Sequence, residues 1–117
     1  MKYMLLIYTD PAAAPTTPEA GQKMHEAYGA FTQNILNSGE MIAGDALQGI
    51  DTATSVRVRG TKTTSTDGPF AETKEHLAGY YLVDVKDIDR AIELASQIPN
   101  AKDGVIEVRP IMDVTGM

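Results

Sequence analysis

The chain has 117 residues and carries 16 acidic against 10 basic side chains, which gives a formal net charge of −6. This length predicts one domain over residues 1–117, and the acidic balance argues against a nucleic-acid partner, because phosphate backbones are bound by clustered Lys and Arg. The absence of cysteine excludes disulfides, thiolate nucleophiles and thiolate metal sites.

The first forty residues predict a strand and a helix. Residues 1–8 form a nearly continuous apolar run that turn residues end, which is typical of a buried strand. The run is shorter than the core of a signal peptide, and no segment reaches membrane-spanning length, so we expect a cytoplasmic protein without a membrane partner. Thr17 is placed as N-cap and Pro18 as first residue of a helix, which Gly39 would end in a left-handed conformation. The apolar stripe of this helix is Met24, Ala27, Tyr28, Phe31 and Ile35.

Three strands are predicted in the middle of the chain. Residues 41–47 favour a strand. Polar residues and Val alternate over residues 55–59, and Gly60 turns the chain into residues 62–66, which predicts a β-hairpin with a solvated outer face. The basic side chains of the hairpin either bind an anionic ligand or keep its edges from pairing with other chains. They are Arg57, Arg59 and Lys62.

The last third of the chain predicts a strand, a helix and a strand. Residues 79–85 are rich in aromatic and β-branched side chains, which favour a strand. Asp87 is placed as the cap of a second helix that Pro99 ends, and residues 105–111 form the last strand. The apolar positions of the second helix are Ile88, Ala91, Ile92 and Ala95.

The order β-α-β, hairpin, β-α-β predicts an α+β fold, a ferredoxin-like βαββαβ sheet with an inserted β-hairpin. The first and third main strands are central in this topology, and they are the two most apolar strands of the chain. Both faces of these strands are apolar, but two helices cover only one face of the sheet. We therefore predict a homodimer whose sheets pack face to face. On the first strand, one face carries Tyr3, Leu5 and Ile7, and the other carries Met4, Leu6 and Tyr8. On the third main strand, one face carries Tyr81, Val83 and Val85, and the other carries Tyr80 and Leu82.

Residues 67–75 combine a turn, an aromatic residue and four charged groups in the run Asp-Gly-Pro-Phe-Ala-Glu-Thr-Lys-Glu. Pro69 keeps Gly68 out of the α region and suits the first position of a helical turn. Asp67 then accepts backbone N–H groups at the start of that turn, and Phe70 anchors the turn in the core. A catalytic carboxylate is the second interpretation of Asp67.

Glu72 and His76 are four residues apart and share a face if the chain forms a helical turn here. The pair would tune a proton-transfer histidine or supply two ligands to a divalent metal, with Asp67 as a third. The alternative is a charged, solvated turn, and because two ligands rarely suffice, we expect no metal. The chain has no Gly-rich phosphate loop, no nucleophile elbow and no His-Glu-x-x-His motif, so we expect no cofactor.

Two further sets of residues are candidates for a site. His25, at the edge of the first helix's apolar stripe, titrates near neutrality and is either a catalytic acid–base group or a flanking residue. Glu107 and Arg109 face the same way on the last strand. Tyr8, Tyr81 and Arg109 would then line a pocket between sheet and partner, with Arg109 binding a carboxylate; the alternative is a cross-strand Glu–Arg arrangement on the surface.

The chain resembles the DGPF branch of the YCII-related proteins over nearly its whole length. The resemblance implies the dimeric α+β-barrel fold and a bacterial protein, encoded in many cases near an extracytoplasmic-function sigma factor. Related YCII-type proteins carry a helix-borne His that has been suggested to form an acid–base dyad with an Asp. The corresponding position here is closest to Tyr28, with His25 one turn earlier, so the dyad does not carry over. The matching segments are 2–8, 28–31, 44–47, 56–59, 67–75, 79–85 and 106–111.

The resemblance leaves the function open between two hypotheses. The first is a cofactor-independent acid–base enzyme acting on a small polar metabolite, with Asp67 or Glu72 as base, Lys74 or Arg109 holding the substrate, and a Tyr donating a hydrogen bond. The second is a non-catalytic ligand-sensing or interaction module beside a sigma-factor regulatory system. Convergence of Asp67, Glu72 and Arg109 on one pocket would favour the enzyme.

Overall fold

The computed structural model describes residues 1–70 and 73–116. Four strands form one antiparallel sheet in the order β2-β5-β1-β6, and β3 and β4 form a separate two-stranded ribbon. The α+β ferredoxin-like topology with an inserted hairpin is therefore confirmed, with the first and third main strands at the centre of the sheet. The elements are β1 (Lys2–Thr9), α1 (Pro18–Asn37), β2 (Met41–Ala46), β3 (Thr54–Arg59), β4 (Lys62–Asp67), β5 (His76–Asp84), α2 (Ile88–Gln97) and β6 (Val105–Pro110).

The predicted helix ends are confirmed. The Thr17 hydroxyl accepts a hydrogen bond from the Ala20 N–H at 3.2 Å, and the Asp87 carboxylate accepts one from the Arg90 N–H at 2.9 Å. Gly39 follows α1 with a φ of 77°, a conformation that a residue without Cβ adopts freely. Among the described residues, neither helix combines the length and apolarity that a bilayer-spanning segment requires.

The core lies between the two helices and one face of the sheet. The predicted alternation of the two central strands is confirmed, because one of the two predicted sets of side chains on each strand is buried there. The buried side chains are Tyr3, Leu5, Ile7, Tyr81, Val83 and Val85. The predicted stripe of α2 is wrong at two positions, since Ile88 and Ile92 are 47% and 52% exposed. The helix is rotated so that positions three, four and seven residues after Ala91 face the sheet instead. These buried residues are Ala91, Leu94, Ala95 and Ile98.

The other face of the sheet is not covered by the helices. Its side chains are half-buried by their own neighbours in the sheet, and they include Met4, Leu6, Tyr8, Tyr80 and Leu82. The described chain measures 49 × 47 × 18 Å, so its short dimension holds one sheet layer and one helix layer.

The residues after β4 depart from the sequence prediction. Gly68 adopts a φ of 100° and donates its N–H to the Ala53 carbonyl at 2.7 Å, which extends the ribbon. Phe70 is 80% exposed, so its predicted role as a core anchor is wrong. His76 opens the strand β5 opposite Thr9, so the helical turn predicted to include it does not form at His76. Pairing with neighbouring strands satisfies these backbone groups, which outweighs the local preference for a turn.

A half-buried ion pair joins α2 to the chain just before β2. The Arg90 guanidinium donates to both carboxylate oxygens of Glu40, at 2.8 and 2.9 Å, and the Glu40 side chain is only 17% exposed. This hydrogen bonding from Arg90 holds the pKa of Glu40 below its usual range. The folded pKa therefore lies below the unfolded value of about 4.3. The pair stabilises the fold above that pH, and the contribution is lost as the pH falls through the folded pKa.

We expect Glu40→Gln to lower the free energy of unfolding by about 1–2 kcal/mol at pH 7, because Arg90 loses a charged, two-point acceptor. Urea denaturation at pH 7 and at pH 3 measures the effect, and the deficit should shrink at the lower pH. Glu93→Gln is the matched control, since Glu93 also binds Arg90 but its side chain is 60% exposed. If both variants lose the same free energy of unfolding, Glu40 does not stabilise the fold more than the exposed Glu93 does.

Candidate functional site

A cavity of about 320 Å³ lies between α1 and the neighbouring strands β2 and β5. Six polar residues of the described chain line its mostly apolar walls, and four of them come from α1, the helix side of β5 and the segment after α2. They are Tyr28 and Thr32 of α1, Tyr81 of β5 and Asn100, which follows α2. A concave, largely apolar space with a few convergent polar groups has the features of a small-molecule site.

Two backbone features make room for the cavity. Gly44 of β2 lies against the Tyr81 ring, and a Cβ at this position would come within 2.7 Å of the ring's Cδ1 atom. In β5, Gly79 pairs with Ile7 and Leu77 pairs with Tyr8, so Ala78 is an extra residue opposite β1. Such a bulge bends the strand and redirects its side chains.

Tyr81 is held in place from two sides. Its ring packs edge-to-face on Phe31, with ring centroids 5.0 Å apart. Its hydroxyl shares a 2.7 Å hydrogen bond with the Thr32 hydroxyl. Because both partners lie on α1, the position of the Tyr81 ring is fixed by the packing of that helix on the sheet.

A second chain of hydrogen bonds starts at Tyr28. Its hydroxyl donates to the Asn100 Oδ1 at 2.5 Å, and the Asn100 Nδ2 donates to the Asp103 Oδ1 at 3.0 Å. Burial raises the pKa of Tyr28 to about 12, and the nearby Tyr81 and Asp103 add to the rise. Tyr28 is therefore a neutral hydrogen-bonding group at physiological pH and not a base.

Asp45 and Tyr80 pair across β2 and β5 at the rim of the cavity, with their side chains on the open face of the sheet. The Tyr80 hydroxyl donates to the Asp45 Oδ2 at 2.8 Å, and this hydrogen bond raises the pKa of Tyr80. Asp45 is the carboxylate among the described residues that line this cavity.

The predicted pocket of Tyr8, Tyr81 and Arg109 does not form within the described chain. Tyr81 pairs with Leu5 and is buried on the helix side of the sheet, whereas Arg109 pairs with Met4 on the open side. Tyr8 lines a different cavity, of about 580 Å³, beside Phe70 and His76. Successive side chains of a strand alternate between faces, which places Tyr81 away from the other two residues.

The other predicted site residues do not converge on the cavity beside α1. Asp67 ends the ribbon strand β4 opposite Thr54, and Lys74 lies exposed between the ribbon and β5. His25 is exposed on α1, and Arg109 is exposed on the outer strand β6. Glu72 lies outside the described residues.

Sequence reasoning missed Thr32 and Asn100, and it named Tyr28 as an apolar position of α1 and not as a site residue. Tyr28 carried two signals, its place in the helical stripe and its match to the helix-borne His of YCII-type proteins. Thr32 follows Phe31 in the same helix, which places it beside the stripe. Asn100 carried no signal, because its contact with Tyr28 joins residues 72 positions apart.

The fold and the cavity define a small α+β protein of the ferredoxin-like class with a space of small-molecule size beside its first helix. The YCII-related domain matches residues 1–115, and the chain belongs to this family. An uncharacterized protein of Rhizobium meliloti (strain 1021) is 32% identical over 114 residues, which cover 95% of this chain and 92% of the relative. The resemblance found in the sequence is thus confirmed, and neither match names a reaction.

Proposed function

We propose that the protein is a homodimeric small-molecule-binding protein with one ligand cavity in each subunit. The observation that carries this proposal is the convergence of Tyr28, Thr32, Tyr81 and Asn100 on one largely apolar space of about 320 Å³. A space of this size suits a small metabolite. The polar groups are already held by hydrogen bonds to one another, so little ordering is needed when a ligand enters.

Binding without turnover is favoured over the acid–base mechanism drawn from the sequence. Asp67 and Arg109, whose convergence with Glu72 on one pocket would have favoured that mechanism, lie in different sheets. Tyr28 stays protonated and neutral. A ligand-sensing module is also the role that the resemblance to proteins encoded near sigma factors implies.

The homodimer is proposed from the shape of the subunit. A compact chain of this length has a radius of gyration of about 13 Å, and the described chain has one of 16.4 Å. The larger radius of gyration reflects a flat subunit, and the open face of its sheet is rich in apolar side chains. A second copy placed on that face supplies the missing layer and buries Leu6 and Leu82.

A second candidate function is cofactor-independent proton transfer with Asp45 as the base. It is supported by the exposed Asp45 carboxylate, which lies at the rim of the cavity on the open side of the sheet, and by its 2.8 Å hydrogen bond with Tyr80. The two functions are separated by incubating the protein with a bound ligand in deuterated water. Deuterium incorporation at a carbon of the ligand that depends on Asp45 favours the enzyme, and binding without exchange favours the sensor.

The binding function is tested by screening metabolites by thermal shift. A ligand at a hundred times its Kd should raise the melting temperature by on the order of 10 °C. We expect Tyr28→Phe and Thr32→Val each to reduce the shift, because each removes a hydrogen-bonding group from the cavity wall. Tyr8→Phe is the control, since Tyr8 lines a different cavity. A shift that survives both cavity substitutions would place the ligand elsewhere.

A further inference from the structure

A second compartment adjoins the cavity. A space of about 280 Å³ shares Ala78 and Asn100 with the first and runs past Met24 toward the loop after β1. Asp10 and Asp103 lie on its wall. We call these two adjoining compartments the groove; it is apolar and aromatic at one end and bordered by carboxylates at the other.

The charge around the groove has one sign. Among the described residues that line its two compartments there is no Lys, Arg or His, whereas Asp10 and Asp103 line the second compartment and Asp45 lies at the rim of the first. The whole chain carries a net charge of −6, which adds to the negative potential. An anionic ligand would meet no compensating charge here, while a cation would be attracted.

The hydrogen-bond inventory points the same way. The hydroxyl proton of Tyr28 is donated to Asn100, and an amide hydrogen of Asn100 is donated to Asp103. Toward the carboxylate end, the acceptors left over for a ligand are the remaining lone pairs of the Tyr28 oxygen and the second carboxylate oxygen of Asp103, while the second amide hydrogen of Asn100 and one hydroxyl proton of the Thr32–Tyr81 pair remain as donors. The Tyr28 and Tyr81 rings add aromatic faces, which attract cations.

We infer that the ligand is a small protonated amine carried on an apolar body. An ammonium group has three donors and no acceptor, which complements the acceptors along the Tyr28–Asn100–Asp103 chain. The apolar body occupies the compartment walled by Ile7 and Met41. This inference rests on the proposed binding function and replaces the expectation that Lys74 or Arg109 holds an anionic substrate.

The test compares three probes of similar shape: 2-phenylethylamine, 2-phenylethanol and phenylacetate. Isothermal titration of the full chain at pH 7 and low salt should rank the amine first, about tenfold tighter than the alcohol, with the carboxylate weakest. The alcohol or the carboxylate binding as tightly as the amine would overturn the ligand class. If that binding is still weakened by Tyr28→Phe, the proposed binding function stands.

Asp103→Asn supplies the matched variant, because the amide keeps an acceptor oxygen for the Asn100 Nδ2 and loses only the charge. It should weaken amine binding about tenfold and leave alcohol binding unchanged. Asp113→Asn makes the same charge change in the C-terminal segment and should have no effect. If Asp103→Asn and Asp113→Asn weaken amine binding equally, a specific contact of the amine with Asp103 is overturned. Failure of all three probes to bind also overturns the inference, and the metabolite screen then decides separately on the binding function.

Discussion

Replacing Leu6 by Glu is expected to convert the proposed dimer to a monomer at micromolar concentration. Leu6 lies in the middle of the central strand β1, opposite Tyr80 on one side and Glu107 on the other. On the open face the new carboxylate is solvated in a free subunit, but in a face-to-face dimer it would be buried beside the Glu107 carboxylate. Burying unpaired like charges costs several kcal/mol, so the dimer Kd should rise at least about a hundredfold.

Light scattering coupled to size-exclusion chromatography measures the change, and circular dichroism checks that the subunit still folds. Ile92→Glu is the matched control, because Ile92 is 52% exposed on α2, on the opposite side of the subunit. It should remain a dimer. A wild-type protein that is monomeric at micromolar concentration, or a Leu6→Glu variant that still pairs, would contradict the sheet-to-sheet dimer.

The fold could be predicted from the sequence because its signals are local. The caps at Thr17 and Asp87 and the alternation of β1 each depend on residues close together in the chain. The number of apolar strands and helices then limited the topology to a few arrangements. The stripe of α2 failed at Ile88 and Ile92, because its rotation is set by how the helix packs on the sheet and not by its own sequence.

The candidate site could not be predicted in the same way. Sequence reasoning favoured charged residues, since these carry recognisable chemistry, whereas the cavity beside α1 is lined mainly by neutral polar and apolar groups. Thr32 meets Tyr81 across 49 positions, and Tyr28 meets Asn100 across 72. Tertiary packing alone brings such pairs together, and no spacing rule in one sequence reveals them.

The conspicuous run at residues 67–75 illustrates the same limit. Its turn chemistry suggested a buried aromatic anchor, but Phe70 is 80% exposed and lines a cavity with Tyr8 and Leu77. Leu77 is itself 38% exposed, and Tyr8 belongs to the open face of the sheet. An exposed aromatic residue continuous with an uncovered apolar face fits a subunit that is completed by a second copy.

Gly44→Ala is expected to abolish ligand binding in the cavity beside α1. The new Cβ would lie 2.7 Å from the Tyr81 ring and 3.1 Å from the Tyr80 carbonyl oxygen, so the ring must move. Phe31 and Thr32 hold that ring, and displacing it breaks both contacts. Overpacking of this kind costs about 1–3 kcal/mol of stability. The ring would also move toward the space that the ligand occupies, and we expect the ligand-induced thermal shift to disappear.

Gly29→Ala provides the control within the same structure. Gly29 lies inside α1, and a Cβ there meets no heavy atom within 4 Å. The substitution should raise the free energy of unfolding by about 1 kcal/mol, because Ala favours a helix interior over Gly, and it should leave ligand binding intact. Binding is measured well below the melting temperature of each variant, where both proteins are folded, so that lost affinity is separated from lost folding. A folded Gly44→Ala protein that binds as tightly as the wild type would show that the ligand site is not in this cavity.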